Sequence, residues 1–203
     1  MPIFQAKKGM VFYAHIPKCG GMSIENSLSS LPTHLKNPYL HGDNQLRFPC
    51  SPQHFHADII TKMFDVNSFF YSFTVTRHPF SRLLSEYRFR TDIAERQNKI
   101  MMEINDWIEN TLNQYPNNNY LLDNHIRPQN EFLVPGMDVM KLEEGMDAII
   151  SRISRKIGIS QLGDSVHRNK SKSLETSIGL ESKELIKRFY KSDFETLGYS
   201  DNI

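Results

Sequence analysis

The sequence predicts an α/β fold: a single domain spanning residues 1–203, with a mainly parallel central sheet flanked by helices. Three observations carry that expectation. Runs of β-branched and aromatic residues recur at 10–16, 69–76 and 137–142, each bounded by turn-forming residues. A helix-compatible segment follows each run. The composition, 39% hydrophobic and 23% charged, supplies enough apolar material for a core.

Along the chain, residues 10–16 (Met-Val-Phe-Tyr-Ala-His-Ile) read as a buried strand ending at Pro17. Residues 23–31 form a helix, with Ser23 placed to cap it and Pro32 to end it. Residues 32–53 are rich in Pro, Asn, His and Gly, an excursion long enough to expect a functional role. A short helix is expected over 55–64. The second strand, 69–76, gives way to a helix with Pro79 as its first residue. In that helix Phe80, Leu83, Leu84 and Tyr87 fall at i, i+3, i+4 and i+7, one buried stripe, and Trp107 on a further helix over 95–112 belongs to the core. The Asn-rich stretch 113–119 breaks that helix. Residues 137–142 give a third strand, and 145–157 and 182–190 two more helices.

Charge narrows the function. The 24 basic and 23 acidic residues nearly cancel, leaving +1, so no global field argues for nucleic acid, and any anion site must be local. No run is apolar and long enough for a membrane span, and residues 1–10 lack the pattern of a secretory signal. Two cysteines, Cys19 and Cys50, are too few for a disulfide framework, so the expected setting is reducing and cytoplasmic.

Two constellations carry chemistry. The first, His15-Ile16-Pro17-Lys18-Cys19-Gly20-Gly21-Met22-Ser23, follows a strand and opens a helix. Glycines let backbone N–H groups turn toward an anion, the helix start adds positive potential, and Lys18 adds a full charge. The lysine precedes the glycines, so the Walker A spacing is absent. The second, Thr76-Arg77-His78-Pro79-Phe80-Ser81-Arg82-Leu83-Leu84-Ser85-Glu86-Tyr87, places Arg77 at a strand end and Ser85 two turns into the next helix. An arginine at that edge can meet a phosphate through two N–H groups, and a hydroxyl can add one more donor.

Together these motifs resemble the sulfotransferases that use 3'-phosphoadenosine 5'-phosphosulfate (PAPS), and within them the carbohydrate branch with its heparan 2-O and chondroitin types. The resemblance implies a P-loop-kinase-like sulfotransferase fold and the product adenosine 3',5'-bisphosphate. It assigns Pro17, Lys18, Cys19, Gly20, Gly21, Met22 and Ser23 to the 5'-phosphosulfate, with Lys18 stabilising the departing charge. Arg77 and Ser85 would grip the 3'-phosphate. Fainter likenesses cover residues 124–129, where His125 and Arg127 become acceptor-side candidates, the strand at 140–143, and a basic loop at 166–171, where Lys170 becomes a cofactor contact. Loops 32–53 and 113–136 would shape the acceptor site, with no nucleic acid and no membrane span as partners.

Transfer to a hydroxyl needs a group that takes its proton. The His-x-His pair at 54 and 56 resembles one in the heparan 2-O enzymes, which makes His56 the first candidate base and His54 the second, with carboxylates Asp58 and Glu25 still open. An i, i+2 histidine pair without a cysteine pair lacks structural-zinc spacing, so no metal is expected. Two rivals remain: a P-loop-like kinase, and a nucleotide-binding module of the same fold without catalysis.

Overall fold

The computed structural model describes residues 2–32, 48–159 and 178–202. Its sheet has four strands, β1 (Ile3–Ala6), β2 (Gly9–Ala14), β3 (Tyr71–Thr76) and β4 (Asp138–Lys141), in that spatial order. β1 runs antiparallel to β2 through a two-residue turn, Lys7-Lys8, with Ala6 opposite Gly9. The β2–β3 and β3–β4 pairings are parallel, which makes the sheet mainly parallel as the sequence implies.

Alternation along β2 sends side chains to both faces, and both are covered. Val11 and Tyr13 join Phe73, Val75 and Met140 against α1 (Gly21–Ser27) and α5 (Met146–Ile157), where Ile24, Leu28, Ile149 and Ile153 are buried. Phe12 and Ala14 face Phe55 and Ile60, the latter on α2 (Ala57–Met63). A second core lies among α3 (Pro79–Arg96), α4 (Ile104–Gln114), α6 (Leu180–Phe189) and α7 (Lys191–Leu197). There Leu83 and Tyr87 of the stripe pack with Trp107, Ile108, Ile186 and Tyr190.

Several boundaries differ from the sequence reading. β1 and α7 are additional elements. The helix expected over 95–112 is two: α3 runs on to Arg96, and α4 starts at Ile104 after a turn in which Asn98 takes a left-handed φ of 53°. Ser23 does not cap α1. Gly20, with φ 82°, is the N-cap, and Ser23 sits in the first turn donating its backbone N–H to the Gly20 carbonyl at 3.1 Å. The glycine reaches the left-handed turn that a serine would enter only with strain. Most of the 32–53 excursion and the 166–171 basic loop lie outside the described residues.

One buried side chain ties the two motif loops together. Arg82, 1% exposed, donates from Nε to the Pro17 carbonyl at 3.0 Å, from Nη1 to that of Arg127 at 2.9 Å, and from Nη2 to that of His125 at 2.8 Å. A lysine ammonium on a flexible stem cannot serve three carbonyls in fixed directions. Arg82→Lys should therefore lower unfolding free energy by about 2–4 kcal/mol, since buried acceptors left unpaired each cost about 1–3 kcal/mol. Urea unfolding followed by circular dichroism reads this directly.

Candidate active site

The parallel pairing of β2 with β3 sets their C-terminal ends side by side, so the loop after β2 and the start of α3 share one sheet edge. Arg77 leaves β3 there, and its Nη1 donates to the Lys18 carbonyl at 3.3 Å. Gln129 fixes the same junction from the other side. Its Oε1 accepts the Arg77 backbone N–H at 2.9 Å and the Cys19 thiol at 3.3 Å, and its Nε2 donates to the Arg77 carbonyl at 2.7 Å. Asp193, on α7, accepts the backbone N–H groups of Gln129 and Asn130, each at 2.8 Å.

Within the first loop Lys18 has a left-handed φ of 68°. Burial lowers its ammonium pKa, with Arg77 adding to the fall and Glu86 opposing it. Its Nζ lies 4.1 Å from the centroid of the Phe89 ring, a cation–π contact at the mouth of the loop. Cys19 is fully buried and its thiol is pushed up to about 12 by burial, so it packs and does not react. Gly21 packs against the His15 ring so closely that any Cβ there would overlap it. Pro17 and Ser23 are buried, while Met22 is exposed at the loop's outer side.

Beside this loop three histidines stand in a chain of ring contacts. His54 meets His15 edge-on at 5.6 Å between centroids and His125 at 4.8 Å; His125 in turn stacks on Phe89 at 5.9 Å. Each has a carboxylate on Nδ1: Glu25 for His15 at 2.6 Å, Asp123 for His54 at 2.8 Å, Glu86 for His125 at 2.6 Å. Such a pairing holds the proton on Nδ1 and leaves Nε2 as the basic nitrogen. Burial pushes Asp123 up, but hydrogen bonds from His54 and Ser51 outweigh it and keep the carboxyl well below its ordinary range. Burial likewise raises Glu86, yet His125, Arg90 and Lys18 together hold it below the usual value, so it stays ionised although fully buried.

The candidates named from sequence therefore divide. Lys18, Arg77, His54 and His125 converge on one edge. Ser85 is half-buried on α3, one residue before Glu86. His56 lies outside the ring chain. It is the N-cap residue of α2, makes no side-chain cap, faces Tyr120 at 5.8 Å, and among the described residues its buried Nδ1 has no hydrogen-bond partner. Arg127, 5% exposed, spends its guanidinium on Asn124, Glu131 and the Asn119 carbonyl, which makes it a brace for the 113–136 segment. Asp58 is exposed and Glu25 is taken up by His15 and Gln53. Lys170 lies outside the described residues. His54, Asp123 and His125 also bring ligand atoms within 4.8 Å of one another, a grouping able to accept a cation only by giving up the hydrogen bonds just described. Glu86, Asp123, Gln129 and Arg88 are not singled out as site residues by the sequence reading; Glu86 and Arg88 flank Tyr87 at the end of the second motif, and their spacing from Ser85 is the available signal.

Among models of protein families, one described as the sulfotransferase family matches residues 1–200. No curated protein and no solved structure matches the chain. Among the described residues, no helix is long and apolar enough to cross a membrane.

His15, His56 and His125 all sit below the 6.5 of a free imidazole; burial is the largest cause in each, partly offset for His15 and His125 by their carboxylates. A histidine whose folded pKa is depressed contributes stability above the unfolded value and loses it as pH falls through 6.5, because only the unfolded chain takes up the proton. Urea midpoints should therefore drop between about pH 7.5 and about pH 5.5, and His56→Gln should make that drop shallower.

Proposed function

The chain belongs to the sulfotransferase family, and we propose that it moves a sulfuryl group from PAPS to a hydroxyl on a carbohydrate. The observation that carries the reading is the meeting of the two loops: the Arg77 guanidinium touches the Lys18 carbonyl at 3.3 Å, so one nucleotide can span both. The carbohydrate class rests on the resemblance of the motifs to that branch, as does the P-loop-like character of the loop. Two free, buried thiols fit a reducing compartment such as the cytoplasm.

The residues present suit the donor. Lys18, Arg77 and Ser85 offer two full charges and a hydroxyl along one edge, and among the described residues neither cation has a carboxylate within 4.0 Å. When bound, PAPS supplies sulfur already activated by a phosphate leaving group. The loop 17–23 holds the phosphosulfate end, while Arg77 and Ser85 hold the 3'-phosphate. Residues 113–136, braced by Arg127, shape the acceptor side of a single domain, 1–203; most of the 32–53 segment lies outside the described residues.

As the acceptor oxygen bonds to sulfur, the sulfur–oxygen bond to the phosphate breaks, and Lys18 stabilises the charge that collects on that oxygen. The hydroxyl proton passes to a histidine. The sequence ranks His56 ahead of His54; the geometry favours His54. Its Nδ1 is fixed by Asp123, and its ring neighbours lead through His125 and Phe89 to Lys18. Asp123 gives the imidazolium that forms a compensating charge.

Two experiments test this. In thermal-shift titrations adenosine 3',5'-bisphosphate should stabilise the protein by about 2.7 kcal/mol at a hundredfold excess over its dissociation constant, with ATP–magnesium and adenosine 5'-phosphate well behind. Equal stabilisation by all three would remove the donor assignment, and preference for ATP–magnesium would point to a kinase. With labelled sulfate and a glycan panel, His54→Ala should lower turnover by about 10²–10⁴-fold while still binding the bisphosphate. His56→Ala should stay within about tenfold of wild type, and the reverse order would return the base to His56.

A further inference from the structure

Helix α3 carries arginines in opposite conditions. Arg82 has three carbonyl acceptors, and Arg90 donates from Nε to Glu86 at 2.6 Å. Arg88 has neither. Among the described residues its Nε N–H, shut off from solvent, has no hydrogen-bond partner, and no carboxylate lies within 4.0 Å of its guanidinium. A buried donor left unmet is unfavourable, and in a folded protein such a group calls for a specific explanation.

Position says what the partner is. Arg88 follows Ser85 by three residues, so the two side chains share one face of α3. Arg77 enters the same neighbourhood from the end of β3, and the positive charge of Arg88 reaches it, adding to what burial does in lowering its pKa. Glu143, an acid whose charge reaches Arg77, is occupied: Oε1 accepts the His78 backbone N–H at 2.7 Å and Oε2 the Tyr199 hydroxyl at 3.1 Å. Two guanidinium groups brought together out of water repel one another unless an anion lies between them.

We infer that Arg88 is a third ligand of the donor's 3'-phosphate, closing with Arg77 and Ser85 a clamp for a phosphate dianion. This rests on the donor reading above and adds a residue that reading does not use. A ribose 3'-phosphate carries close to two negative charges near neutral pH, and two arginines match that charge where one leaves it half-compensated. The clamp then sets the preference for a nucleotide phosphorylated at both ends over one phosphorylated at the 5' end alone.

Isothermal titration with adenosine 3',5'-bisphosphate and with adenosine 5'-phosphate separates the possibilities. Arg88→Gln should weaken the bisphosphate by roughly ten- to a hundredfold and change the 5'-phosphate by less than about threefold, the loss of one charge-assisted contact to the 3' group. Arg88→Lys, which keeps the charge and loses the fork, should fall between; circular dichroism confirms that each variant is folded, and Arg88→Lys carries the test if Arg88→Gln is not. Full bisphosphate affinity in these variants, with Arg77→Gln alone losing it, overturns the role of Arg88 and leaves the donor reading standing. Wild-type protein that fails to distinguish the two nucleotides overturns both.

Discussion

The buried guanidinium of Arg82 is the constraint on which the site depends. It lies on α3, the helix that follows one motif loop, yet its three hydrogen bonds end on carbonyls of Pro17 in the other loop and of His125 and Arg127 in a third segment. A cation with five donors in a rigid plane can hold three backbone strands in one relation, and no neutral side chain of that size offers as many directions. Gln129 repeats the arrangement with an amide, joining Cys19 to the backbone of Arg77, and Asp193 ties Gln129 to α7. Residues far apart in sequence thus meet at one sheet edge with little freedom left between them.

That rigidity matters because the edge holds unfavourable charge. Lys18 and Arg77 meet there while the nearby acids are committed: Glu86 to His125 and Arg90, Glu25 to His15, Glu143 to His78 and Tyr199. Left loose, two cations in a half-buried setting would drift apart into water. Arg77 is held by the Lys18 carbonyl and the Gln129 amide and Lys18 lies over the Phe89 ring, contacts that keep them in place and add no negative charge to the rim. The histidines follow the opposite rule. His15, His54 and His125 each have their own carboxylate, which fixes the tautomer and leaves Nε2 as the basic nitrogen.

What the sequence made legible was local. The stripe Phe80, Leu83, Leu84, Tyr87 depends on helical spacing alone, and the glycine loop and Arg77 sit at strand ends visible as β-branched runs. β1 escaped notice because four residues before a lysine pair give too short a pattern, and α7 because it follows α6 directly at Tyr190. Ser23 looked like a cap by residue type; the left-handed φ of Gly20 moved the helix start back and took that position from it. The pairings Asp123–His54 and Glu86–His125 join residues 69 and 39 positions apart, and no periodicity reports such a contact before the chain has folded.

The two histidines at 54 and 56 show how neighbours in a short motif can be given different surroundings. Two residues apart in regular extended backbone, side chains point to the same side, and here the backbone is not regular: His54 ends a 3₁₀ turn and His56 is the N-cap residue of α2. Each ring therefore takes its surroundings from its own element. His54 is turned toward Asp123 and the ring of His125, whereas His56 lies against Tyr120, with Arg127 close enough for its charge to disfavour an imidazolium. A base must hold a proton at the moment the acceptor loses it. Asp123 on Nδ1 sets the His54 ring apart from that of His56, which has Arg127 and Asp58 acting on it with opposite signs, and that partner, more than the place in the motif, supports His54 as the proposed base.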